Sequence, residues 1–334
     1  MTDVANLTPE QMEAAYLEYR RACYDIVYRT CREEGVLDRL AEPATLEEFS
    51  DRMNVVKDKR EVAQLLLDAL VKYGAVRRLD GGTYQAVPEG PQVRDFDTEL
   101  IYLATEKRSV EELKHSENYA GILKALTVED NPVSATFDAE HLPLWEEVLQ
   151  APFYRYSRVQ AVQEISQAGS HLLDLACGPG FGLQELAERA PQDATVFGVE
   201  ISTDFVVSAT QRTAGDPRVR VVRGDLQQPL DFLKDGYFDG AMIVGAYHFL
   251  RHPRQLWETA TRLLRPGGVF CVAYALSKVG TYDQEIMDLR FALRRPVSYP
   301  PTRDEVLSLA EGAGLEPRRE FGLGAWRWYS FTRR

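Results

Sequence analysis

The sequence predicts an α/β fold in which a helical front domain precedes a doubly wound, mostly parallel sheet with an antiparallel C-terminal edge. Three observations carry this expectation. From His171 onward, five apolar strand candidates alternate with helical segments, a pattern that calls for a parallel sheet with helices on both faces. After Gly314 come two more strand-like runs, EPRREFG and AWRWYSFTR, with no helix between them, so they should pair antiparallel at the edge. The first 90 residues hold three helical stretches followed by a hairpin signal. With 334 residues, 45% apolar and 10% aromatic, two domains with sizeable cores are the natural division, and the composition argues against disorder.

The front elements follow from spacing. Over roughly 9–40, Met12, Ala15, Tyr19, Cys23 and Ile26 recur at helical intervals and make one apolar face. Thr8 and Pro9 stand ahead of it as a cap and first-turn pair. A short helix is expected over about 45–54 with Leu46 and Phe49 inward. A third, about 58–73, should bury Val62, Leu65, Leu66, Ala69 and Leu70 and stop near Gly74. AVRRL, Asp80-Gly81-Gly82 and TYQAV then read as two short strands about a glycine turn. Three helices and a hairpin make a winged-helix pattern over 1–95. Residues 96–165 read as a helical linker, and 166–334 as the sheet domain.

In the sheet domain the strand candidates are HLLDLA, ATVFGVE, RVRVVRGD, FDGAMIVG and GVFCVAYA. No repeat or low-complexity segment interrupts them.

Composition narrows the function. A net charge of −12 repels phosphates and discourages binding to nucleic acid or anionic lipid. Residues 1–90 hold 17 acidic against 12 basic side chains, a net of −5, so the winged-helix pattern does not present a DNA-binding face. The longest nearly apolar run, 240–250, is too short to span a bilayer, and no signal-peptide pattern opens the chain. Cys23, Cys31, Cys177 and Cys271 show no metal or disulfide spacing. A cytoplasmic protein without metal, membrane or nucleic-acid partner is the expectation.

The decisive segment is LLDLACGPGFG, 172–182. A strand ends near Asp174, and a loop with Gly178, Gly180 and Gly182 leads into a helix beginning near Leu183. Such a loop at the carboxyl edge of a sheet lets backbone approach a small ligand. Glycines alone do not identify the ligand, because dinucleotide enzymes use them as well. Charge does. Asp174 would repel a pyrophosphate but attract an ammonium group, and Pro179 removes an N–H that a phosphate cradle could use. Glu200 closes the next strand, 22 residues beyond Gly178, where a carboxylate can accept both ribose hydroxyls. Asp225 follows the third strand, where it could accept from an adenine amino group. A positively charged nucleoside amino acid fits this set.

With these residues in place, the segment resembles the class I S-adenosylmethionine-dependent methyltransferases, which have a Rossmann-like sheet. DLACGPGFG resembles their first motif, with Ala176 in place of its first glycine, and Glu200, Asp225 and LLRPGG follow in the family's order. Together with the front half, the whole chain resembles small-molecule methyltransferases of the O-methyltransferase type, whose front domain dimerises. The resemblance implies S-adenosyl-L-methionine as cofactor, a small-molecule acceptor and a homodimer. Asp174, Gly178 and Gly180 would hold the methionine part, Glu200 the ribose, and Asp225 with Leu226 the adenine.

Tyr247 and His248 follow the fourth strand and should stand beside the reacting centre as the catalytic candidates. In the O-methyltransferases a histidine at this point is commonly followed by Asp-Trp and acts as base. Here Phe249-Leu250 follows, so pocket lining is the favoured role for His248. Tyr154, Tyr156, Tyr274 and Tyr282 stand where an acceptor pocket is expected, although they could equally be amphipathic wall; electron-rich rings favour a sulfonium. The missing base weakens phenol O-methylation and leaves sulfur, nitrogen or activated carbon as the attacking atom. The chain also resembles the bacterial S-methyltransferases of dimethylsulfoniopropionate synthesis, whose acceptor is methylthiohydroxybutyrate. That resemblance implies an arginine for the acceptor carboxylate, with Arg155, Arg290 and Arg294 as candidates. Two other classes compete: a winged-helix regulator that uses the C-terminal fold as a ligand sensor, and a catalytically idle fold.

Overall fold

The structure is a computed structural model that describes residues 4–92, 95–117, 119, 121–128, 136–293 and 298–334. In chain order its elements are α1 (Pro9–Glu33), α2 (Leu46–Arg52), α3 (Arg60–Tyr73), β1 (Val76–Arg78), β2 (Tyr84–Ala86), α4 (Thr98–Thr105), α5 (Val110–Glu117), α6 (Ile122–Thr127), α7 (Leu142–Gln150) and α8 (Pro152–Ser166). There follow β3 (His171–Leu175), α9 (Phe181–Arg189), β4 (Thr195–Glu200), α10 (Thr203–Arg212), β5 (Val219–Arg223), β6 (Phe238–Val244) and α11 (Arg254–Leu263). The chain ends with β7 (Leu264–Ala275), α12 (Gln284–Ala292), α13 (Arg303–Gly312), β8 (Leu315–Leu323) and β9 (Trp326–Arg333).

The chain divides into two compact units, 8–135 with 280–298, and 3–7 with 136–279 and 299–334. The stretch 96–165, expected as one linker, is shared between them: α4 to α6 lie in the first unit, α7 and α8 in the second.

In the first unit, Thr8 and Gln11 form a reciprocal capping box and Pro9 opens α1, which satisfies two of the helix's free N–H groups. Met12, Ala15, Tyr19, Cys23 and Ile26 are all buried, as their spacing requires. The helix stops at Glu33 rather than near 40, because Gly35 takes a left-handed φ of +72° just past its end. Gly74 ends α3 in the same way, at φ +85°. Leu65 is only half-buried, and the inward face of α3 runs instead through Ala63, Leu66, Leu67 and Leu70. β1 and β2 pair antiparallel, so three helices and a hairpin are present. Segment 280–298 returns to this unit, where Asp283 accepts from the Tyr16 hydroxyl at 3.0 Å and Glu285 from the Tyr24 hydroxyl at 3.0 Å.

The second unit is built on a seven-stranded sheet in the order β5-β4-β3-β6-β7-β9-β8. β5, β4, β3, β6 and β7 are mutually parallel, and β9 pairs antiparallel with β7 on one side and with β8 on the other. Side chains alternate between two cores. Leu173 and Leu175 enter one with Trp257 and Val306; Leu172 enters the other with Val162 of α8 and Leu183 of α9. The chain winds outward from β3 through β4 to β5, then crosses back to lay β6 on the other side of β3. That reversal opens a crevice at the strand tips, the place where such sheets bind ligands.

Candidate active site

The β3 tip leads into a loop that turns in the left-handed region at Ala176 (φ +56°), Gly178 (φ +56°) and Gly180 (φ +91°). An alanine there costs on the order of 1 kcal/mol relative to glycine, so the loop's path is held from outside. Its N–H groups show how. Cys177 N–H donates to Val199 O at 3.0 Å and Gly180 N–H to Cys177 O at 3.1 Å. Gly178 N–H donates to Glu200 Oε2 at 2.9 Å, and Pro179 has none. Every backbone donor of residues 177–180 is therefore committed inward, and that stretch cannot cradle a phosphate.

Gly180 has a packing role. A Cβ added there would stand 2.8 Å from Ala209 Cα, so the glycine lets the loop close onto α10. The helix beyond begins at Phe181, two residues before the expected Leu183.

A cavity of about 200 Å³ opens at the crevice, with Gly178, Glu200, Asp225 and Leu226 in its wall. Glu200 is 5% exposed. Its Oε1 accepts from Ser202 N–H at 2.9 Å, while Oε2 takes Gly178. Burial raises its pKa, against the pull of these two N–H groups. Each oxygen keeps a further lone pair for a ligand hydroxyl. Asp225 Oδ1 accepts from Gln227 N–H at 2.9 Å.

Asp174 is placed differently. It is 4% exposed and lies behind the cavity wall, on the α9 side of the sheet, packed beneath Gly182. Burial pushes its pKa well up; the Arg158 guanidinium opposes that, and Glu200 and Glu185 reinforce it. A buried carboxylate with this much penalty favours a cation nearby.

Aromatic side chains that sequence reasoning missed close the other side of the cavity. Phe137, Trp145 and Phe249 surround it, with the Phe137 ring 5.2 Å from Trp145 and 5.3 Å from Phe249. The segment carrying Phe137 is tied down: Ser202 Oγ donates to Phe137 O at 2.6 Å, and Trp145 Nε1 to Thr136 O at 2.9 Å. The only signal was Phe249-Leu250, which stood out as a departure from the His-Asp-Trp pattern.

The other candidates lie as follows. Tyr247 is in the core, stacked on Tyr274 at 4.4 Å, and its hydroxyl accepts from Trp257 Nε1 at 2.8 Å; neither tyrosine lines the cavity. His248 is 2% exposed against Phe249, and Phe249 and Leu250 line the cavity in its stead. Tyr156 faces Phe321 of β8. Tyr154 meets Trp326 edge-on at 4.7 Å, next to Gly245 in the cavity wall. Tyr282 and Arg290 belong to the first unit, where the Tyr282 hydroxyl donates to Leu17 O and Arg290 is buried in α12. Both lie in segment 280–298, which is part of the helical unit, whereas β7 belongs to the sheet unit. Arg155 is half-buried on α8, and Arg294 lies outside the described residues. Among the described residues lining the cavity, Glu200 and Asp225 are the only ionisable ones.

Residues 173–272 match the family model of the methyltransferase domain. The chain is 30% identical over 175 residues to the 24-methylenesterol C-methyltransferase 2 of Oryza sativa subsp. japonica, covering 49% of this chain and 47% of that one. It is 32% identical over 136 residues to the demethylmenaquinone methyltransferase of Symbiobacterium thermophilum, covering 40% and 53%. The chain thus spans about half the length of these curated relatives. The CurJ carbon methyltransferase shares the fold across nearly the whole length, with a TM-score of 0.71 at 14% identity over 98% of this chain and 94% of that one. Residues 173–272 therefore form a methyltransferase domain, in a chain with the Rossmann-like fold of the class I methyltransferases whose methyl donor is S-adenosylmethionine.

Proposed function

We propose that this protein transfers a methyl group from S-adenosylmethionine to a small-molecule acceptor. The committed donors of the 177–180 loop carry the reading, because they reject a pyrophosphate while Glu200 and Asp225 face the cavity. Glu200 would hold the ribose hydroxyls and Asp225, with Leu226, the adenine end. Gly178 would pass close to the methionine part, and Asp174 would act on its ammonium group through the loop. The donor supplies an electrophilic methyl on a sulfonium. The chain's own task is alignment and exclusion of water, which the Phe137, Trp145 and Phe249 rings perform.

The acceptor's lone pair forms the new bond to carbon as the donor's carbon–sulfur bond breaks, and that electron pair stays on sulfur. A thioether acceptor loses no proton. Among the described lining residues the two carboxylates, Glu200 and Asp225, are taken up by the donor in this reading, so neither is left to remove a proton; that favours such an acceptor, and methylthiohydroxybutyrate is the specific reading. An activated carbon is the second reading, supported by the carbon methyltransferase that shares the fold. The three helices and hairpin of 9–86 act as a winged-helix dimerisation domain in a cytoplasmic homodimer, and the net charge of −5 over 1–90 speaks against the regulator reading.

Calorimetry tests the central claim. S-adenosylhomocysteine should bind, NAD should not, and Glu200→Ala should weaken binding at least about tenfold. Equal affinity for both ligands would sink it. A labelled-methyl screen of thioether acids, keto acids, amines and phenols then separates the acceptors.

A further inference from the structure

Gly245 ends β6 in the left-handed region, at φ +77°, and stands in the cavity wall. A Cβ built on it would lie 3.5 Å from Tyr154 Cε1 and 3.9 Å from Trp326 Cη2. These are ordinary contact distances, so a side chain there would fill the gap between the cavity and the two rings. Glycine leaves it open. Trp326 starts β9 opposite Ala275, the last residue of β7, at the carboxyl edge of the sheet. It is 1% exposed, yet its indole Nε1 has no hydrogen-bond partner among the described residues. Leaving such a donor buried and unmade carries the full cost of its desolvation, which invites an explanation beyond packing. Of the other indoles, Trp257 donates to Tyr247 and Trp145 to Thr136; Trp328 Nε1 is also buried without a partner, but that ring lies two residues further along β9, opposite Ala273 and inside the core with Val162 and Leu183.

We infer that Tyr154 and Trp326 form the acceptor side of the site, and that Trp326 Nε1 donates a hydrogen bond to an oxygen of the acceptor. The acceptor class is a small molecule with an apolar body and a carbonyl, carboxylate or hydroxyl oxygen a few bonds from the methylated atom. The apolar body lies along the Tyr154 ring; the oxygen sets the orientation. Because the indole N–H is neutral and buried, it fixes the acceptor without offering a base. This inference rests on the methyl-transfer reading above and adds the residue that selects the acceptor.

The test uses the full chain labelled with 15N-tryptophan and saturated with S-adenosylhomocysteine. Four tryptophans give four indole resonances, and Trp326→Phe identifies one by its loss. The probes are methylthiohydroxybutyrate, acetoacetate and catechol, each added in turn. At least one should move the Trp326 resonance downfield while that of Trp257 stays in place. Trp326→Phe should lower that probe's affinity about tenfold and leave S-adenosylhomocysteine affinity unchanged. No movement with any probe overturns the inference, as does an indole proton that keeps contact with a resident water throughout. Failure of S-adenosylhomocysteine to bind the wild-type chain would instead overturn the reading beneath it.

Discussion

Asp174 packs its carboxylate directly against the α-carbon of Gly182, in the first turn of the helix that follows the glycine loop. Any Cβ at position 182 would collide with that carboxylate and would also stand 2.8 Å from Met242 Cε. Gly182→Ala should therefore displace Asp174 and lower stability by about 1–3 kcal/mol, the usual cost of overpacking. S-adenosylhomocysteine affinity should fall along with it. Calorimetry together with thermal unfolding checks this, and unchanged affinity would detach Asp174 from the cofactor.

The protonation of Asp174 makes a second prediction. Burial holds its folded pKa well above the ordinary value, so the ligand-free folded chain binds that proton more tightly than the unfolded chain does. The native state is thus penalised as pH rises above the unfolded pKa, and the penalty is complete above the folded one. Asp174→Asn removes the charge and should make the ligand-free protein more stable than wild type at the higher pH, with the gap closing as pH falls. Cofactor binding should move oppositely, being weaker in Asp174→Asn and, in wild type, strengthening with rising pH. Melting and binding measured across a pH series decide it; a variant destabilised at every pH would refute the assignment.

Tyr247 offers a separation of structure from chemistry. Its hydroxyl receives the Trp257 N–H at 2.8 Å inside the core, and burial pushes its pKa upward, out of reach of a proton-transfer role at neutral pH. Tyr247→Phe strands the indole donor and should cost about 1–3 kcal/mol of stability. Methyl transfer per folded molecule should stay within about twofold of wild type. A large loss of turnover with an intact fold would return Tyr247 to the catalytic set. His248→Ala, likewise, should leave substantial turnover with a thioether acceptor, since no proton must be removed.

These cases show what the sequence could disclose. Strands such as HLLDLA and ATVFGVE announce themselves because a parallel strand buried on both faces is a continuous apolar run. Gly74 and Gly178 mark left-handed turns that few other residues would take. Glu200 and Asp225 were legible because strand-end position plus order fixes which edge they reach. The return of Tyr282 and Arg290 to the helical unit was not, since the pairing of Tyr16 with Asp283 joins residues 267 apart and leaves no local pattern. Nor could alternation alone say that Tyr274 and Trp326 point to opposite faces of the sheet: the register of β7 against β9 decides that.

The aromatic wall gives the last prediction. Trp145 on α7 and Phe249 after β6 meet at 6.0 Å, nearly perpendicular, and both contact Phe137. Such pairs contribute about 0.5–1.5 kcal/mol beyond area burial. If the three rings act together to close the cavity, Trp145→Ala and Phe249→Ala should each weaken S-adenosylhomocysteine binding about tenfold. Residues in contact are not additive, so the double variant should lose less than the sum of the two singles in free energy. Strictly additive losses would mean that each ring touches the ligand on its own account. Unchanged affinity in both singles would mean that the wall excludes water without gripping the cofactor, and then hydrolysis or turnover, rather than binding, would carry the defect.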